Sequence, residues 1–123
     1  MKTKNILLAM LFCLLWMANS YATETEPNDT KGTANKLNLN NSNTGAIGSA
    51  TDVDWWKVTT TADGRLDLTL TISNGLYCYY QLYDNNGTTL LHSSYTNSIQ
   101  SYSTDGLAAG TYFIKIFAFN AGE

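Results

Sequence analysis

Histidine, cysteine and basic residues are scarce in this chain: one His, two Cys and seven Lys or Arg among 123 residues. Each scarcity removes a class of function. Cys13 falls in an apolar N-terminal run, so Cys78 stands alone in the remainder and no internal disulfide can form. A single His and a single Cys do not make a structural zinc site, which usually takes four such ligands. Nucleophile-elbow, zinc-protease and papain-like signatures are all missing. The lone His92 sits in Leu90-Leu91-His92-Ser93-Ser94 with no motif around it. Triads assemble in space rather than in sequence, but no residue pattern points to one, and a non-enzyme is expected.

Long apolar runs are missing too, with one exception. Lys2 and Lys4 precede an unbroken apolar stretch from Ile6 to Met17, and Ser20-Tyr21-Ala22 follows with small residues. Twelve apolar residues are too few to cross a bilayer core of roughly 30 Å as a helix. The layout is that of a signal peptide spanning residues 1–22, cut after Ala22. Cys13 is preceded by Phe12, which argues against lipidation there. The processed product, residues 23–123, is expected to be secreted, extracellular or periplasmic, with no membrane association. It keeps five Lys or Arg against ten Asp or Glu, a balance that disfavours a nucleic-acid partner. Its length suits one domain with one core.

From Ala46 onward, β-branched and aromatic runs alternate with Asp63-Gly64, Asn74-Gly75, Asn86-Gly87, Asp105-Gly106 and Ala109-Gly110. That spacing predicts an all-β sandwich or barrel. The clearest strand runs from Arg65 to Ser73, where Leu66, Leu68, Leu70 and Ile72 alternate with polar residues, so one face is buried. Further strands are predicted at Val53–Thr60, Leu76–Tyr83, Thr88–His92, Asn97–Tyr102 and Thr111–Ala118. Asn86-Gly87 reads as a tight hairpin turn with positive φ at both residues. Thr30–Leu37 reads as a short helix with Ala34 and Leu37 inward. Of the two tryptophans on the first long strand, Trp56 is expected in the core with Val58. Cys78 reads as a small buried hydrophobe.

Three stretches together are more specific than any alone: Glu24-Thr25-Glu26-Pro27-Asn28-Asp29-Thr30, Asp52-Val53-Asp54-Trp55-Trp56-Lys57-Val58 and Gly110-Thr111-Tyr112-Phe113-Ile114-Lys115-Ile116. Between them lies Gln81-Leu82-Tyr83-Asp84-Asn85-Asn86-Gly87-Thr88, a strand followed by an Asp-x-Asn-Gly turn. The set resembles the bacterial pre-peptidase C-terminal domain family. The resemblance implies an antiparallel, jelly-roll-like β-sandwich found on secreted peptidases and other exported proteins, including collagen-binding domains of bacterial collagenases, usually without catalytic residues. Members continue beyond the Gly-Thr-Tyr strand with a last Tyr-x-Leu strand, whereas this chain stops at Gly122-Glu123. Either the sequence is a fragment of a longer product, or the sandwich lacks its last strand and Thr111–Ala118 is expected to be an open edge prone to self-association.

Two groups of residues carry candidate chemistry. Glu24, Glu26, Asn28 and Asp29 place four oxygen-bearing side chains within six residues, and Asp52 and Asp54 add two more beside the first long strand. Calcium takes six to eight oxygens, and carboxylates from two segments would clip the N-terminal segment to the sandwich. The spacing is not that of an EF-hand loop. The resemblance implies calcium as the cofactor of Glu24, Glu26, Asn28, Asp29, Asp52 and Asp54, with Ser49 a lesser candidate. The alternative is solvated charge near a terminus, with Asp29 capping the short helix.

The second group is aromatic. Tyr77, Tyr79 and Tyr83 share one face of their strand, and Phe113, Phe117 and Phe119 one face of theirs, making a platform for a polymer such as collagen or a polysaccharide. The alternative is a face covered by loops or by another strand. Taken together, the sequence predicts a calcium-stabilised accessory module that supports export, folding or placement of a secreted parent protein. A polymer-binding module is the rival expectation, and a hydrolase fragment the third.

Overall fold

A computed structural model describes residues 24–73 and 75–119. The predicted signal peptide and the chain end beyond Phe119 lie outside the described residues. Seven strands follow one 3₁₀ turn, Lys31–Thr33: β1 (Asn35–Lys36), β2 (Val53–Thr60), β3 (Gly64–Thr71), β4 (Cys78–Tyr83), β5 (Leu90–Thr96), β6 (Ile99–Leu107) and β7 (Gly110–Ala118). One sheet has the order β1-β2-β7-β4-β5, and β3 pairs with β6 in a second. Every pairing is antiparallel except the short β1–β2 contact. The molecule is an all-β, sandwich-like fold.

Alternation builds the core. Leu66, Leu68, Leu70 and Ile72 of the β3 segment are all buried, as the period-two pattern predicts. They close on Trp56 and Val58 of β2, Cys78, Tyr80 and Leu82 of β4, and Tyr112, Ile114 and Ile116 of β7. Trp56 is fully buried and Cys78 belongs to the same cluster. At roughly 1.5 to 3 kcal/mol for each large apolar side chain, this interface is the main source of stability, with no disulfide among the described residues.

Four expectations are corrected. β7 is not an edge, because it pairs with β2 on one side and β4 on the other. The outer strands of the large sheet are β1 and β5, and β3 and β6 each have one paired neighbour among the described residues. The Thr30–Leu37 helix shrinks to the Lys31–Thr33 turn, capped by Thr30 and Thr33 rather than by Asp29. Leu37 donates its N–H to Lys57 O at 2.8 Å, so pairing with β2 holds this stretch extended, although Ala34 and Leu37 are buried as expected.

The tight turn at Asn86-Gly87 is instead a loop over 84–89. Only Gly87 has positive φ (74°), while Asp84 Oδ1 accepts from Asn86 N–H at 3.0 Å and closes the bend. Finally, β5 and β6 run further than predicted, to Thr96 and Leu107. Their inward positions include His92, Ser94, Gln100 and Thr104, so apolar alternation does not mark them.

Candidate metal centre

The segment from Glu24 to Asn28 is tied to the sandwich by its backbone. Glu24 N–H donates to Thr44 O (2.9 Å), Thr25 and Asn35 exchange two bonds (2.9 and 3.1 Å), and Trp55 N–H donates to Asn28 O (3.0 Å). The last of these brings Asn28 to the start of β2, where Asp54 occupies an inward position opposite Ile116. The Glu26-Pro27 peptide is cis. One oxygen from each of Glu24, Glu26 and Asp54 lies within 4.8 Å of the others, and this is the one such carboxylate, His or Cys group among the described residues.

Burial makes this arrangement unusual. Asp54 and Asn28 are both 0% exposed. Neither polar atom of the Asn28 side chain has a partner, and no N–H or hydroxyl donates to Glu24 Oε2 or to either oxygen of Asp54, which faces the Glu24 carboxyl. Buried polar atoms without partners each cost about 1–3 kcal/mol, and more when charged. The remaining oxygens are partly used: Glu24 Oε1 accepts from Ala46 N–H, and Glu26 Oε2 from Asn28 N–H at 3.2 Å. A Cβ at position 45 would collide with the Glu24 carboxylate, so Gly45 is needed for that close approach, a requirement the sequence did not signal.

The electrostatics agree. Burial pushes the Asp54 carboxyl well above its ordinary range, and the charges of Glu24, Asp52 and Glu26 push it further. Glu24 is raised chiefly by burial, with Glu26 and Asp52 adding repulsion. Glu26, an exposed residue at the rim of the cluster, is raised by partial desolvation of its carboxyl and by Asp52 and Asp29. Among the described residues the one ion pair is Arg65–Asp67, so no side-chain cation answers this cluster.

These donors fit calcium. Two oxygens on opposite sides of an ion at roughly 2.4 Å are about 4.8 Å apart, and hard carboxylate and amide oxygens are its preferred ligands. Glu24, Glu26 and Asp54 would supply charge, and Asn28 Oδ1 a neutral oxygen. Of the other sequence candidates, Asp52 stays close enough to act by charge, but its Oδ2 accepts from Gly48 N–H. Asp29 is exposed, and exposed Ser49 is engaged with Thr51 in a local turn. Trp56 Nε1 is also buried without a partner, but as a donor it is no cation ligand.

The aromatic residues occupy the outward face of the large sheet. Tyr79 stacks on Phe117 (5.2 Å between centroids, 19° between planes), and Phe119 and Tyr95 join the same group. Tyr77 meets Tyr95 and Phe119 at 6.1 and 6.2 Å. Tyr83 contacts Trp55 at 5.5 Å, and Phe113 lies opposite Tyr83 in the β4–β7 register. Tyr95 is the member that sequence reasoning missed, because β5 was predicted to end before it. No protein-family model matches the chain, and a search of curated proteins gave no match.

Proposed function

We propose that this chain is an exported, non-catalytic β-sandwich module in which a calcium ion joins the N-terminal segment to β2. One observation carries the reading: the unpartnered, fully buried side chains of Asn28 and Asp54 beside Glu24 and Glu26. Without a cation, buried carboxylates must either take up protons or repel one another. An ion bound among them removes both costs and fixes the segment that follows the signal-peptide-like leader. The module then supports the export, folding or placement of a secreted protein. His92 packs its ring on Tyr102 (3.7 Å between centroids) with Nε2 3.4 Å from the Tyr80 hydroxyl, an arrangement suited to packing.

The test is a thermal melt with calcium against a chelator. An ion that binds only the folded state stabilises it by RT ln(1 + [L]/Kd). With Kd on the order of 0.1 to 1 mM, as in extracellular calcium modules, about 2 mM calcium adds roughly 0.6 to 1.8 kcal/mol. That raises Tm by roughly 3 to 14 °C. Glu26→Gln should abolish the shift, and magnesium should substitute poorly because it demands a smaller, stiffer shell. An unchanged wild-type Tm would show the cluster to be solvated charge and remove the metal assignment.

A further inference from the structure

Positive charge is segregated in this molecule. The register places Lys115 directly opposite Trp55 and Gln81, Lys57 opposite Phe113, and Lys36 beside Lys57. Lys31 reaches the same region from the 3₁₀ turn, donating to Gly87 O, and both it and Phe113 line the space above Gly87. All four lysines of the described residues thus gather on the outward face of the large sheet. No carboxylate occupies an outward position of β2, β4 or β7, and β5 contains none. Arg65, the remaining Lys or Arg among the described residues, lies on the other sheet, paired with Asp67 at 2.7 Å.

The same face alternates rings with hydrogen-bonding groups. Phe117, Tyr79 and Tyr95 form one cross-strand row, and Phe113 and Tyr83 another. Between them lies a polar row of Lys115, Gln81 and Ser93, each directly opposite the next, with Gln81 Nε2 3.4 Å from Ser93 Oγ. Lys115 Nζ lies 4.9 Å from the Phe117 ring centroid and 5.7 Å from that of Trp55. Rows two residues apart are separated by roughly 6.6 Å and adjacent strands by about 4.8 Å. The polar row therefore offers one donor or acceptor per strand, a step close to the length of a pyranose ring, with aromatic walls on both sides.

We propose that this face binds a linear anionic polysaccharide laid across the strands. Its acidic groups sit on Lys57 and Lys115, and its sugar faces rest on Tyr79, Tyr83 and Phe113. Charge complementarity selects an acidic polymer over a neutral one, because four lysines, none of them in an ion pair among the described residues, gather on a face whose strand positions carry no carboxylate. The rings interleaved with the lysines select a chain of sugars over a lipid surface. Nucleic acid, with its denser charge, is repelled by the acidic remainder of the molecule.

The test is affinity electrophoresis of the purified chain through gels containing hyaluronan, a linear uronate polymer, or carboxyl-reduced hyaluronan as its neutral counterpart. Hyaluronan should retard the chain, increasingly less as salt rises, and the reduced polymer should not. The double variant Lys57→Gln/Lys115→Gln should weaken binding roughly tenfold, the size expected of two solvent-screened charge contacts. Tyr79→Ala should weaken it further, and Arg65→Gln on the opposite sheet should leave it unchanged. Melting curves confirm that each variant is folded, and the double lysine variant, altered only at the surface, keeps the test valid if Tyr79→Ala is not. Absence of retardation overturns the proposal. So does equal retardation by the neutral polymer, equal loss in Arg65→Gln, or binding as tight to single-stranded DNA or collagen.

Discussion

Asp54 concentrates the conflict between folding and charge. It occupies an inward strand position where an apolar side chain would ordinarily sit, and its carboxyl finds no hydrogen-bond donor. Replacing it with Asn keeps the shape and deletes the charge. In chelator at about pH 8, Asp54→Asn should therefore be more stable than wild type, by on the order of 1–3 kcal/mol, while losing its response to calcium. Denaturant titrations in the two buffers measure both effects. A structural role alone predicts the reverse sign, a loss of stability in either buffer. The core provides a contrasting case: Leu68→Ala should cost about 2–5 kcal/mol, and Thr69→Ala, on the outward face and bonded to Ser101 Oγ at 3.0 Å, far less. Comparable losses at the two positions would show that alternation along β3 does not mark one buried face.

Among the elements, the 24–29 segment is the least self-sufficient. It has no sheet ladder of its own and hangs on a few bonds, of which Trp55 N–H to Asn28 O is the link to β2. Hydrogen exchange should report this. The Trp55 amide is expected to be protected in calcium and to exchange faster in chelator, while amides of β7, paired on both sides, stay protected in both. Equal protection of Trp55 in the two buffers would mean that the ion does not hold the segment. The elements also show what the sequence could reveal. β2, β3 and β7 were legible because their inward positions are mostly apolar and β-branched or aromatic residues fill the strands. Of β5 only the first residues were, since His92 and Ser94 face inward on an edge strand and hide its continuation to Thr96. The 30–37 stretch misled for another reason, because a hydrogen bond to β2 overrode local helical patterning. At the site, the acidic residues were visible, and choosing Trp56 and Val58 as inward already implied an inward Asp54. The burial of Asn28 and the gathering of the lysines were not visible, since both depend on contacts between distant segments.

At the scale of the whole molecule, the acidic cluster links stability to pH. Glu24, Glu26 and Asp54 have folded-state pKa values above their ordinary ones, chiefly through burial. The unfolded chain releases the same protons at roughly pH 4. Above that point the folded state holds more protons than the unfolded state, so stability falls as pH rises. The favourable contribution is full below the ordinary carboxylate range and is lost as pH climbs through the raised folded-state values. Asp67, lowered by its bonds to Ser103 and Arg65, has the opposite sign, but it is exposed and its contribution is screened. Calcium reverses the trend, because it binds deprotonated carboxylates and so binds more tightly as pH rises. In chelator, the Tm should decline between about pH 5 and pH 8. In about 2 mM calcium that decline should be flattened, so the calcium-induced shift should be larger at pH 8 than at pH 5. Asp54→Asn should show a shallower decline in chelator and no growth of the shift. Melting curves at the two pH values, with and without calcium, give all of these quantities. A calcium shift of the same size at both would place the ion on groups that do not titrate in this range, away from Glu24, Glu26 and Asp54.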